Sequence, residues 1–222
     1  MNIARVAPTE SLDFSIGAET DEDIAAREAL LDRAMGPGRK RKSSEKLRRG
    51  RRPSEGLAFI ARDASGTVVG TVRLWDVTFG AGSSGLVTGP WLKAEGSAQP
   101  TGPSAVARSF QPGKKGALLL GPLAVEPSLK GAGIGSALMR HAIAEAARLG
   151  HGAILLVGDA PYYQRFGFSA DKTGMLAMPG PYERHRLLAL ELEPGVLDGA
   201  AGVLKAAGRK CSPAMRPHGW AA

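Results

Sequence analysis

Residues 125–138 read Val-Glu-Pro-Ser-Leu-Lys-Gly-Ala-Gly-Ile-Gly-Ser-Ala-Leu. An apolar run from Ala117 to Val125 leads into this stretch, and a helical pattern leads out of it: Ile134, Leu138, Ala142, Ile143 and Ala146 share one face before Gly150 ends the run. The segment therefore predicts a strand, a connector over 126–130 and a helix to about Leu149. Glycines at 131, 133 and 135 leave the N–H groups of the first helical turn uncovered by side chains, where the helix dipole adds a partial positive charge. That arrangement suits a phosphate or diphosphate. The same glycines also permit a tight strand-to-helix turn with no ligand, and the turn by itself does not separate the two readings.

Two common phosphate motifs fit poorly. A P-loop requires Gly-Lys-Ser/Thr, and no lysine follows these glycines. A dinucleotide fingerprint needs a glycine three residues after Gly133, where Ser136 stands, and its first glycine belongs directly at the strand end. Asp159, at the end of the next strand, is the feature that favours a nicotinamide oxidoreductase, which stays as an alternative.

Outward from the turn, Ala153–Val157 reads as a buried strand, and Gly158–Phe168 as a turn and a short helix begun by Asp159 and Pro161 and stopped at Gly167. Gly121-Pro122 interrupts the 117–125 strand, since proline cannot donate to a ladder, and predicts a bend or splay there. Upstream, a short strand is expected from Leu12 to Gly17. A capping box at Thr20 and Asp23 then opens a helix to Met35, with Ile24, Leu30, Leu31 and Met35 as its stripe. Strands at 57–61 and 68–75 flank the turn Asp63-Ala-Ser-Gly66. Residues 76–116, with eight glycines and four prolines, read as a long mobile loop. Arg186–Leu192 reads as a last strand, and 195–222 as a C-terminal tail with a helix near 196–207, following a domain over 1–194.

The stretch 125–138 resembles the acetyl-CoA-binding motif of the GNAT superfamily of N-acetyltransferases: Val-x-Pro, then Gln/Arg-x-x-Gly-x-Gly/Ala, then an apolar helix. Tyr163-Gln-Arg-Phe-Gly-Phe168 resembles the family's second motif, Tyr-x-x-x-Gly-Phe, and Leu120–Val125 with Gly158–Tyr163 look most like a bacterial subgroup of predicted acetyltransferases. The resemblance implies an α/β fold of α+β type, with a mixed, mostly antiparallel sheet split between its two central strands and flanked by helices. It implies acetyl-CoA as co-substrate and no metal. Backbone groups at Leu123, Ala124 and Val125 would meet pantetheine, and Lys130, Gly131, Ala132, Gly133, Ile134, Gly135 and Ser136 the diphosphate. Tyr163 would be the acid that protonates or hydrogen-bonds the leaving thiolate, while an amine attacks directly. Three positions depart from the motif: Lys130 stands where Gln or Arg is usual, Ala132 where a basic residue is common, and Gly158-Asp159 where the second motif's helix often begins with Asn.

Glu126, Asp159 and Asp76 are candidates for the base that frees the amine only by standing at expected strand ends, and each reads first as a solvated or capping carboxylate, so no base is assigned. His141 and His151 read as surface residues, His185 as a possible flank of a substrate pocket, and Phe166 and Phe168 as core. No His, Cys or Asp spacing suggests a metal site.

Composition sets outer bounds. The chain has 222 residues, 43% hydrophobic and 23% charged, a globular balance. Thirty glycines and 15 prolines, about a fifth of the chain against roughly 12% on average, call for long loops. No apolar run approaches the ~18 residues of a membrane span, and one cysteine, Cys211, makes the cytoplasm the expected compartment. The net charge of +8 belongs to residues 36–53, which hold nine basic residues and Glu45; elsewhere 20 basic residues face 20 acidic ones. With no aromatic residue over 36–56 for base stacking, nucleic acid is not the expected partner, although a CoA- or nucleic-acid-binding module without catalysis is the non-enzymatic alternative. The segment reads as a solvated, mobile stretch with no core helix. The resemblance implies a second reading, since in GNAT-like folds the region after the first helix borders the acceptor site, where this charge would favour acidic acceptors. The expected partner is a small-molecule or peptide amine, and the expected assembly a monomer or homodimer.

Overall fold

The strand that leads into the glycine turn runs over Lys115–Val125 (β4) and lies at the centre of a mixed sheet. The computed structural model describes residues 13–81 and 115–211. Upstream are β1 (Phe14–Ala18), α1 (Ile24–Met35), the one-turn α2 (Glu45–Arg48), β2 (Ala58–Asp63) and β3 (Val68–Ala81). Downstream are α3 (Ile134–Arg148), β5 (Ala153–Val157), the one-turn α4 (Ala160–Tyr163), β6 (Leu176–Ala177), β7 (Leu187–Glu191) and β8 (Ala200–Ala206). The sheet order is β1-β2-β3-β4-β5-β7, antiparallel except for β4 beside β5, while β8 adds to β3 and takes β6 as a short parallel neighbour. This is the mixed, mostly antiparallel architecture expected from the sequence.

The sheet carries apolar side chains on both faces. On one, α3 packs Ile134, Leu138, Ala142 and Ala146 against Ala61, Val69 and Leu118. Helix and sheet approach closely because β3 has Gly70 there: a Cβ at that position would lie 2.8 Å from both Ile134 Cγ2 and Leu138 Cδ1. Val77, Phe79, Leu119 and Leu155 build the other face, joined by Leu47 of α2, while Leu30 of α1 meets Ile60 and Val68. The expected capping box holds, with the Thr20 backbone N–H donating to Asp23 Oδ2 over 2.9 Å.

Several sequence expectations are corrected. The strand expected over 68–75 continues to Ala81, and β4 begins at Lys115, so 76–81 is ladder and not loop. The rest of the expected loop lies outside the described residues. The helix expected near 196–207 is instead β8, with Val77 opposite Ala206 and Gly80 opposite Ala201. Part of the segment set apart as a tail thus belongs to the sheet. The basic stretch is packed only in part: Leu47 is 2% exposed and the Arg39 and Arg48 side chains are 12% and 10% exposed, while Lys40, Arg41, Lys42, Lys46 and Arg49 are exposed as expected. Arg39 pairs with Glu28 and Asp32, and Arg51 Nη1 donates to the Gly208 carbonyl over 2.7 Å. Ile24, expected in the stripe of α1, is exposed. His141 is half-buried and meets the Phe59 ring edge-on at 4.6 Å, so it is no simple surface residue.

Candidate active site

The central strands part. β4 pairs with β5 only at Leu118–Ile154 and Leu119–Leu155; past these, β4 runs on to Val125 held by β3 alone. The cause is local. Gly121 and Pro122 are both accommodated opposite Arg73, so the β3–β4 register slips between Val72–Leu123 and Leu74–Leu120, and a bulge of this kind re-aims the strand. Trp75 Nε1 pins the bulge by donating to the Gly121 carbonyl over 2.5 Å.

Register also decides which backbone groups face the gap. In an antiparallel pair, residues that exchange hydrogen bonds alternate with residues that do not. Glu126 N donates to Val69 O over 2.9 Å, so Glu126 and, two residues back, Ala124 turn their backbone groups toward β3. Leu123 and Val125 turn theirs away, into the gap. Of the three strand positions singled out in the sequence, two present a free edge and Ala124 is the spacer between them.

At the end of β4 the chain passes through a 3₁₀ turn (Pro127–Leu129) and the glycines into α3. Gly131 (φ 97°) and Gly133 (φ 85°) occupy the left-handed region, which a side chain disfavours. The N–H groups of Gly133, Ile134, Gly135 and Ser136 have no backbone acceptor, as expected for the first positions of a helix, and the bonding resumes with Ala137 N to Gly133 O at 3.0 Å. Lys130, Gly131, Ala132 and Gly133 are exposed, and a Cβ added at Gly131 or Gly133 would meet nothing within 4 Å. The Ile134 side chain is in the core, so only its N–H is available here. Open space over a row of free donors fits an anionic diphosphate.

The other wall is α4, started by Asp159 and Pro161 as read from the sequence. Its two tyrosines meet edge-on at 4.9 Å and do different things. The Tyr163 ring lies across Gly158, at the end of β5, and against Phe168 at 6.1 Å. Burial pushes its phenol up to about 12, helped by Tyr162 and Asp159 and opposed by Arg186, so the group is a neutral donor at ordinary pH. Tyr162 reaches across to α3: its hydroxyl would lie 3.2 Å from a Cβ at Gly135, and Arg165 stacks on its ring at 3.9 Å. Neither Tyr162 nor Gly158 is among the site residues expected from the sequence. In the sequence the glycine belongs to a family-like stretch and departs from the usual Asn, but nothing there shows that a ring covers it.

The three carboxylates considered as bases are engaged. Glu126 takes Arg33 at 2.8 Å, Asp159 takes Arg186 at 3.1 Å, and Asp76 accepts from Ser54 Oγ at 2.9 Å. Asp76 lies within β3 and not at a strand end. Phe168 is in the core as expected, and Phe166 is half-buried against it; His185 is exposed beside Glu183. Among the described residues no group of three or more His, Cys, Asp or Glu is placed to hold a metal ion, and no helix is long and apolar enough to cross a membrane.

A family model described as an acetyltransferase (GNAT) domain matches residues 54–170, just over half of the chain. The structure is similar to that of a GNAT family N-acetyltransferase from Escherichia coli in complex with CoA, with 20% identity, a TM-score of 0.60, and coverage of 92% of this chain and 94% of that one. It also matches a GNAT family acetyltransferase from Brucella melitensis in complex with acetyl-CoA, with 22% identity, a TM-score of 0.47, and coverage of 80% and 96%. No curated protein matches the chain.

Proposed function

The chain belongs to the GNAT acetyltransferase family, and we propose that it moves an acetyl group from acetyl-CoA to an amine by direct attack. The observation that carries this reading is the parted β4–β5 pair ending at a helix whose first N–H groups are free. The nicotinamide alternative loses its ground with the family match, because its motif was incomplete from the start.

Acetyl-CoA supplies the activated thioester. The N–H groups of Gly133 to Ser136 hold the diphosphate, with Lys130 as an exposed cation beside them and Gly131 and Ala132 shaping the turn. Leu123 and Val125 pair with the pantetheine arm as a missing strand would, which places the thioester beside the bulge. The amine nitrogen attacks the acyl carbon; the new C–N bond forms as the C–S bond breaks. Strand N–H groups stabilise the developing oxyanion. The sulfur leaves as thiolate and takes a hydrogen bond or a proton from Tyr163, and the amine's proton leaves through water. No covalent enzyme intermediate is required. The acceptor is a small-molecule or peptide amine; the cytoplasm and a monomer or homodimer complete the proposal.

Calorimetry with acetyl-CoA, followed by an amine screen that monitors thiol release, tests this. Binding with thiol release on addition of an amine supports it; no heat with any acyl-CoA overturns it.

A further inference from the structure

Arg48, in the 36–53 segment, is a buried cation whose charge is only partly answered. Its side chain is nine-tenths buried, yet Nε has no hydrogen-bond partner. Nη2 meets Ser44 Oγ at 3.1 Å, and its one carboxylate contact is Glu45 of its own helix, at 3.3 Å. Neighbouring cations are better matched: Arg39 has both Glu28 and Asp32, and Arg73 grips Glu19 with Nε at 2.6 Å and with Nη2. Burial disfavours the Arg48 charge most; Glu45 opposes this, and Arg39 and Arg73 add to it.

Its position matters more than its burial. Arg48 Nη1 would be 3.8 Å from a Cβ at Gly121, so the guanidinium faces the bulge that opens the gap. Gly121 is two residues beyond the last β4–β5 pair and two before Leu123, the first free edge position. Leu47 anchors α2 against the sheet and fixes the approach. A half-answered guanidinium that turns Nη1 toward the point where thioester and amine must meet suits an anion such as a carboxylate.

We propose that Arg48 is a specificity residue that binds a carboxylate of the acceptor, so that the substrate is an amine carrying a carboxylate within a few bonds of the reacting nitrogen. This rests on the acetyltransferase reading above. A free amino acid and a peptide with an acidic residue next to its terminal amine share that chemistry.

The test compares matched acceptors at saturating acetyl-CoA: amino acids against their carboxamides, and peptides with Glu against Gln at the second position. The expected result is a kcat/KM at least about tenfold higher for the carboxylate member of one series, consistent with a charge-assisted bond. The preferred series identifies the source. Arg48→Lys keeps a cation but loses the guanidinium N–H that faces the bulge, and should abolish most of the preference with acetyl-CoA affinity unchanged; Arg48→Gln should abolish all of it. Independently of turnover, the Arg48 guanidinium resonances should shift when the preferred carboxylate is added and stay still with its amide. Equal kcat/KM within each pair, or a preference retained by Arg48→Gln, overturns the proposal. Failure of acetyl-CoA to bind overturns the acetyltransferase reading instead, so the two failures are distinct.

Discussion

Gly158→Ala tests how the phenol is positioned. The Cβ of alanine would stand 2.1 Å from Tyr163 Cε2, 2.8 Å from Cδ2 and 3.0 Å from Cζ. Ordinary contact begins near 3.4 Å, so the ring must retreat by about 1.3 Å at its nearest carbon, and the hydroxyl, further along the lever, by at least as much. Gly158 is not among the glycines with positive φ, so alanine fits the backbone. Without the ring, this substitution would be neutral or stabilise by about 0.4–1 kcal/mol through the unfolded chain. With the ring in place, overpacking costs about 1–3 kcal/mol, which lowers Tm by about 2–4 °C for each kcal/mol in a chain of this size. Misplacing a reacting group by about 1 Å costs on the order of 10² in rate. The expected outcome is therefore a lower Tm and a kcat reduced about a hundredfold. Acetyl-CoA affinity should stay within about threefold, because the donors at Gly133–Ser136 are untouched. Differential scanning fluorimetry, thiol-release kinetics and calorimetry read these three quantities. Adding Tyr163→Phe should cost nothing more in kcat, since the phenol has already left its place. An unchanged or raised Tm with kcat within twofold would refute the reasoning.

Tyr163→Phe alone should lower kcat by about 10² with little change in acetyl-CoA affinity, and Tyr162→Phe, beside Gly135, should act on affinity before kcat; the reverse pattern in steady-state kinetics and calorimetry would exchange their roles. Because burial raises the Tyr163 phenol to about 12, it stays protonated through the assay range, and the pH profile of kcat should show no falling limb from it below about pH 11. A limb near pH 9 that vanishes in Tyr163→Phe would contradict this. Gly70→Val should push α3 away from β3, given the 2.8 Å approaches to Ile134 and Leu138, costing about 1–3 kcal/mol in denaturant melts and weakening acetyl-CoA binding, since Gly70 lies opposite Val125; unchanged stability would show that the helix does not rest there.

Local chemistry was legible in the sequence; long-range pairing was less so. The glycine turn, the Gly121-Pro122 interruption and the start of α4 each depend on a few adjacent residues whose conformational limits are strong, and each stands where it was read. The extension of β3 had a readable signal in Trp75, Val77 and Phe79, which are buried and alternate with Asp76, Thr78 and Gly80, but the glycine count of the following stretch masked it. β8, Ala-Ala-Gly-Val-Leu-Lys-Ala, has weak intrinsic strand preference and is a strand because β3 supplies an edge more than a hundred residues earlier. The burial of Leu47 and Arg48 depends on where α2 lands, which no local pattern encodes. Gly158 illustrates the same limit within the site: its role exists only once Tyr163 folds back over it.

The most direct measurement is a crystal structure of the protein grown with acetyl-CoA. Diphosphate oxygens should lie within hydrogen-bond distance of the Gly133–Ser136 N–H groups, and pantetheine amides should pair with Leu123 and Val125 in the gap beyond Leu119 and Leu155. Density for the thioester elsewhere on the molecule, or a gap closed by the protein's own chain, would contradict this.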